Sequence, residues 1–226
     1  MMKHLVSVCI PTLGREDKLA RLVDLIPITA EWPHEIIVKY DNWPPDRKGC
    51  PLVLAECVAA SRGEYVAFLG NDCLPEQGWL RIAMERLLKK FPDGVGLAGF
   101  NDLHWLAGEF ATMWVASKQL LPMLDGFFFW PGYKHCGCDN ELTERCRKIG
   151  KYTWCSKARV LHDHPFTPSG ETDWSKYDKV YELAYNSVDQ AHDIALLHER
   201  ARTIGFALRE NFTRPTAEEQ AAAEDE

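Results

Sequence analysis

The chain has 226 residues, of which 46% are hydrophobic and 11% aromatic, enough for the core of one α/β domain and too apolar for wholesale disorder. The net charge of −7 argues against a large polyanionic partner, although much of it sits in Glu218, Glu219, Glu224, Asp225 and Glu226 at the acidic end, so the body is close to neutral. No apolar run approaches the roughly 20 residues that span a bilayer, the first strand starts too soon after Met1 to leave a secretory signal, and eight cysteines then suggest reduced thiols and a cytoplasmic location.

Strand and helix patterns alternate along the first hundred residues. Residues 5–10 form a short run rich in Val and Ile, closed by Pro11, as expected of a strand buried on both faces. Residues 15–26 carry Leu19, Leu22, Val23 and Ile26 at helical spacing. Residues 35–40 read as the second strand, and Pro44-Pro45 break the chain after it. A helix is predicted over 52–62, a strand over 64–69, an amphipathic helix over 76–91 and a fourth strand over 94–100. This rhythm predicts a parallel-rich sheet wound with helices, with ligands at the carboxyl ends of the strands. Neither GxGxxG nor GxxxxGK[ST] occurs, so the pattern supports no dinucleotide fingerprint and no P-loop.

Beyond residue 100 the pattern loosens into an aromatic stretch with Trp105, Trp114, Phe127, Phe128, Phe129 and Trp130. These rings suit a core beneath irregular loops; alternatively Trp130 and Tyr133 stack on an acceptor. Three parts are expected: a domain over 1–165, a helical appendage over 166–206 and a disordered acidic tail over 207–226. The appendage reads as one long helix from 174 to 203, with Tyr177, Val180, Tyr181, Ala184 and Val188 on one face. That face would pack on the domain or on a second copy of the chain.

Four short motifs carry the chemistry. Pro11-Thr12-Leu13-Gly14-Arg15 ends the first strand; Asn71 and Asp72 end the segment from Gly63; Asp139-Asn140-Glu141-Leu142 opens a helix; Arg159-Val160-Leu161-His162 ends a late strand. Asp72 and His162 are an oxygen and a nitrogen ligand for a divalent cation, and Asp139 is a candidate general base. Each has a plainer reading: a turn cap for Asp72, an ordinary histidine for His162, a helix N-cap for Asp139. His135, Cys136, Cys138, Cys146 and Cys155 invite a zinc reading, but the C-x-C spacing suits scattered thiols better.

Taken in this order, the motifs resemble an inverting family 2 glycosyltransferase of GT-A fold over residues 5–165. The resemblance implies transfer from a nucleoside-diphosphate sugar, UDP-linked by preference, with Mn²⁺ or Mg²⁺ as cofactor. It implies Pro11, Thr12, Arg15, Asp41, Asn71 and Asp72 on the nucleotide sugar and Asp72 and His162 on the metal. Asp139 becomes the base and Glu141 its acidic neighbour; were Asp139 only a helix cap, the base would fall to Glu141 or Asp102.

This sequence departs from the family pattern at several points. Gly70 stands where the DXD-type motif has its first Asp, Tyr40 where the first of two acidic residues is common, and Cys138 where a Glu often precedes the catalytic Asp. A nucleotidyltransferase of similar fold or a non-catalytic sugar-nucleotide-binding protein are the alternatives. The acceptor is open, a glycan and a hydroxymethylated DNA base both being candidates.

Overall fold

The computed structural model describes residues 4–103, 108, 110–165 and 173–208. Trp105, residues 166–172 at the start of the expected appendage and the tail from 209 lie outside them.

Seven strands form one sheet: β1 (Val6–Thr12), β2 (His34–Tyr40), β3 (Tyr65–Phe68), β4 (Cys73–Pro75), β5 (Leu97–Asn101), β6 (Trp114–Ser117) and β7 (Tyr152–His162). Their order is β2-β1-β3-β6-β5-β7-β4. β1 pairs in parallel with β2 and β3, and β5 with β7, while β6 runs antiparallel between β3 and β5, and β4 antiparallel to β7. Five strands therefore point one way, and their carboxyl ends make one long edge. The sheet is parallel-rich as expected, but β4 and β6 were not foreseen. β6 lies in the aromatic stretch, and three-residue β4 is too short to leave a periodic signal.

The helices are α1 (Glu16–Thr29), α2 (Cys50–Ala60), α3 (Trp79–Lys90), α4 (Cys138–Lys148), α5 (Lys179–Ala184) and α6 (Ser187–Arg200). The core joins β1, β3, β5 and β6 to α1 and α3 through Ile10, Leu22, Ile26, Val66, Trp79, Leu80, Met84, Leu87, Phe100 and Trp114, all buried. The aromatic stretch is largely core: Phe68, Trp114, Phe128 and Phe129 pack as one cluster with centroids 4.8–5.8 Å apart.

The long helix expected over 174–203 is instead a 3₁₀ turn (Trp174–Lys176), α5, α6 and a π turn (Ala201–Gly205). Capping chemistry explains the breaks. The Asp178 carboxylate accepts the N–H groups of Val180 and Tyr181, and the Asn186 side chain accepts that of Asp189, each from extended backbone. Helical spacing of apolar residues runs across the break and hid it. The pieces pack back on the same chain: Leu196 and Leu197 lie against the core.

Candidate active site

A cavity of about 460 Å³ opens along the carboxyl edge of the sheet, beneath α5. Pro11, Thr12 and Arg15 reach it from the end of β1, Asp41 from β2, Gly70, Asn71 and Asp72 from the loop after β3, Asp102 from β5 and His162 from β7. Backbone bonds tie these ends together: Asp163 N–H donates to the Asp72 carbonyl (2.9 Å) and His162 N–H to the Asp102 carbonyl (3.2 Å). Residues far apart in the chain thus meet because the sheet places their strands in register.

The first wall is an amide and hydroxyl cluster. Asn71 Nδ2 donates to Thr12 Oγ1 (2.6 Å) and to the Gly14 carbonyl (3.0 Å). Gly14 and Arg15 both take left-handed backbone (φ 69° and 62°), which turns the chain sharply out of β1. The turn carries the Arg15 guanidinium into the cavity, where Nη1 lies 3.0 Å from Asp72 Oδ2.

Asp72 is buried and heavily partnered. Arg15, the Tyr181 hydroxyl and His162 Nε2, 3.4 Å from Oδ1, surround it. Burial alone would raise its pKa, but His162, Arg15 and Tyr181 hold it well below the usual carboxylate range. Burial opposes charge on His162 too, yet the Asp72 carboxylate outweighs it and lifts the imidazole above its ordinary value. A Cβ at Gly70 would come 2.8 Å from Asp72 Oδ1, so the missing first acidic residue leaves the space this carboxylate occupies.

Asp139 faces the cavity from the first turn of α4. The N-cap is Gly137 (φ 78°), not Asp139, whose side chain accepts the next N–H, that of Asn140 (3.0 Å). Burial raises its pKa to about 6, and the Asp102 carboxylate adds to the rise against the pull of two N–H groups and His162. Asp102, itself buried, accepts the Thr112 hydroxyl at 2.7 Å.

Other expected residues are engaged by further contacts, Asp41 while still lining the cavity. The Asp41 carboxylate accepts N–H groups of Asn42 (2.8 Å), Lys48 (2.8 Å) and Gly49 (2.9 Å), so it mainly fixes the loop leading to α2. Glu141 points away from the cavity into a buried network with Tyr133, Arg145 and Arg200. Tyr133 is fully buried with its hydroxyl on Glu141, and Trp130 stacks on the Arg200 guanidinium at 3.9 Å. Neither ring reaches the cavity; the aromatic side of its wall is Phe68, Phe110 and Phe129. Cys146 and Cys155 are buried on α4 and β7, and no group of three or more His, Cys, Asp or Glu among the described residues is arranged to hold a metal ion by itself.

Several cavity residues had escaped the sequence reading. Arg47 hydrogen-bonds the Leu183 carbonyl (3.0 Å) and Asp189 (3.3 Å), while its Nε has no hydrogen-bond partner among the described residues. Burial and then Arg47 push the His135 pKa down to about 4, so a neutral imidazole faces the cavity. Tyr181 and Tyr185 roof it from α5 and its end. Asp178, the cap of α5 beside the cavity, is an acid just before an apolar run and so left a readable signal.

No family model matches this sequence, and no curated protein matches it. Solved structures do. The Pyrobaculum calidifontis mannosyltransferase PcManGT, in complex with GDP-Man and Mn²⁺, aligns over 96% of this chain and 69% of its own, with TM-score 0.62 and 15% identity. Glucosyl-3-phosphoglycerate synthase from Mycobacterium tuberculosis, with Mn²⁺, UDP and glucosyl-3-phosphoglycerate, aligns over 91% of this chain and 81% of its own, with TM-score 0.59 and 15% identity. S. aureus TarS aligns over 91% of this chain at TM-score 0.55 and 15% identity, and this chain spans 46% of TarS. The chain has the GT-A fold of nucleotide-sugar glycosyltransferases.

Proposed function

We propose that the protein is a metal-assisted glycosyltransferase that moves a sugar from a nucleoside-diphosphate sugar to an acceptor hydroxyl, with inversion. The observation that carries this reading is Asp139: a carboxyl with its pKa raised to about 6 opens onto the same cavity as the strand-end pair Asp72 and His162. Two structural neighbours solved with Mn²⁺ and a nucleotide or nucleotide sugar support the donor class and the metal in this reading.

The residues fit a hard divalent cation such as Mn²⁺ or Mg²⁺. Asp72 and His162 offer one oxygen and one nitrogen donor 3.4 Å apart, and no third protein ligand among the described residues crowds them. Such a set leaves coordination positions for diphosphate oxygens. A cation held there by Asp72 and His162 would offset the charge that builds on the leaving diphosphate.

The chain's own groups do the rest. Arg15 pairs with a phosphate once the donor enters, and Nε of Arg47, 3.9 Å from the Asp41 carboxylate but without a hydrogen bond among the described residues, suits a second donor oxygen. Pro11, Thr12 and Asn71 form the wall against which the nucleoside lies, with Asp41 bracing the loop behind it. Asp139, ionised above pH 6, takes the proton from the acceptor hydroxyl as that oxygen attacks the anomeric carbon.

One observation favours a second reading, a binding protein without transfer: Arg15 and Asp72 are both engaged by α5 and its cap, through Asp178 and Tyr181. A thermal-shift screen of UDP-, GDP-, CDP- and dTDP-sugars, each with Mn²⁺ or with chelator, followed by assay of donor hydrolysis, separates the two. The transferase should be stabilised by one nucleotide sugar in Mn²⁺ and slowly release its sugar to water. Stabilisation without any release would leave the binding protein standing; no stabilisation by any donor would overturn both.

A further inference from the structure

The loop that delivers the chain to Asp139 is held from α6. Three successive N–H groups, of Lys134, His135 and Cys136, converge on the Asp193 carboxylate at 2.9, 2.8 and 2.8 Å. Asp193 is fully buried, and His192 Nδ1 also lies 3.1 Å from its carboxylate. Residues 134–136 lie outside any strand or helix, so these three N–H groups have no ladder partner and take the Asp193 carboxylate as their common acceptor.

The grip continues on both flanks. The Lys134 carbonyl accepts the Cys50 N–H at the start of α2 (3.2 Å). A Cβ at Gly137 would lie 3.2 Å from Leu197, and one at Gly132 would lie 3.1 Å from Leu196. Further along α6, Arg200 reaches Glu141 of α4 with Nε at 2.6 Å and Nη2 at 2.7 Å. Asp193, Leu196, Leu197 and Arg200 have spacing i, i+3, i+4, i+7, which is one helix face. That face meets the loop before Asp139 and the turn after it.

We infer that Asp193 is a positioning residue for the base: its carboxylate fixes residues 134–136, and with Arg200 on Glu141 it sets where Asp139 stands in the cavity. The C-terminal helix is therefore a working part of the site. This role rests on the transferase reading, since it acts through Asp139.

The test uses the full-length chain with Asp193→Asn, which keeps one acceptor oxygen, Asp193→Ala, which keeps none, and Arg200→Gln, which loosens the second anchor. Hydrogen exchange at 134–140, donor Kd by calorimetry in Mn²⁺, and kcat are measured for each. Asp193→Ala should speed exchange at 134–137 at least tenfold and lower kcat about 10- to 100-fold, the order expected from misplacing a base by an ångström. Donor Kd should stay within about threefold of wild type. Asp193→Asn should recover part of the lost kcat, and Arg200→Gln should lower kcat with faster exchange centred on α4. If Asp193→Ala does not fold, the other two variants decide. Faster exchange with unchanged kcat in an active background would overturn the role and leave Asp193 a stability residue. Unchanged exchange would overturn it as well. A wild-type protein that binds donor but transfers no sugar would remove the proposed activity and this role together, whereas the exchange result alone still reports whether Asp193 holds the loop.

Discussion

The Arg15 guanidinium forms a two-point ion pair with Asp178, Nε lying 2.7 Å from one carboxylate oxygen and Nη2 2.8 Å from the other. Burial works against the charged guanidinium, but Asp178 and Asp72 raise its pKa further. Two-point pairing of this geometry is how arginine also holds phosphate. Asp178 therefore sits on Arg15 as a phosphate oxygen pair would, and Tyr181, stacked 3.9 Å over the same guanidinium, closes it in.

The first prediction comes from that competition. Asp178→Asn keeps an oxygen to cap α5 but gives up the charge and one half of the pair with Arg15. Donor binding then no longer has to displace a carboxylate, so Kd should tighten by roughly three- to tenfold. Calorimetry with the preferred nucleotide sugar in Mn²⁺ checks this. An unchanged or weaker Kd would show that α5 does not compete with the donor.

The second prediction concerns pH. Asp139 titrates near 6 in the folded chain against 3.8 for an ordinary Asp. As pH rises from 4 to 6 the unfolded chain loses this proton first, so the folded state loses stability over that window and does not regain it above. The cost above pH 6 is up to about 3 kcal/mol. Asp139→Asn removes it, so the free variant should melt several degrees higher than wild type at pH 7.5 and show no such gain at pH 4. Catalysis has the opposite requirement: kcat/KM should climb about tenfold per pH unit below 6 and level off above it, and Asp139→Asn should lose about 10²–10⁴-fold. A variant that keeps its rate would move the base elsewhere, first to Asp102.

The third prediction concerns the cation. A metal ligand must be the neutral imidazole, and His162 is held in its charged form by Asp72 to a higher pH than usual. Mn²⁺ affinity in the presence of donor should therefore strengthen between pH 6 and pH 8, and His162→Ala should weaken it and flatten the pH dependence. Titration followed by Mn²⁺ electron paramagnetic resonance reads both. A pH-independent affinity in wild type would take His162 off the metal.

What could be read in advance depended on whether a local signal survived folding. Strand ends are local: Pro11, Asp72 and His162 each close an apolar run, and the sheet brings all three to one cavity. The aromatic stretch gave the opposite lesson. Trp130 and Tyr133 look alike as exposed or buried rings in a one-dimensional pattern, and only the partners Arg200 and Glu141 decide which they are. Asp41 has the identity expected of a ligand contact, but three backbone N–H groups from residues up to eight positions away claim its oxygens. Arg47 and His135 lie in segments without periodicity, and nothing in their neighbours foretold that α5 and α6 would fold over them.

The last prediction separates the two acids of the motif at 139–142. Glu141 is buried with the Tyr133 hydroxyl at 2.8 Å, Arg145 at 3.3 Å and Arg200 at 2.6 and 2.7 Å, and it does not line the cavity. Glu141→Gln leaves an acceptor for Tyr133 but strips the charge that two recessed guanidinium groups share. Breaking such a buried pair by neutralising one partner costs about 3–5 kcal/mol, softened here because Asp125 still lies 3.0 Å from Arg145. The melting temperature should fall by roughly 5–15 °C at this chain length. Assayed well below the lowered melting point, donor Kd should match wild type and kcat should fall less than tenfold. That pattern is the reverse of Asp139→Asn, which is expected to melt higher and transfer far more slowly at pH 7.5. If Glu141→Gln instead stays folded and loses 10²-fold or more in kcat, the proton leaves through Glu141, and the cavity must open toward α4 when the acceptor binds.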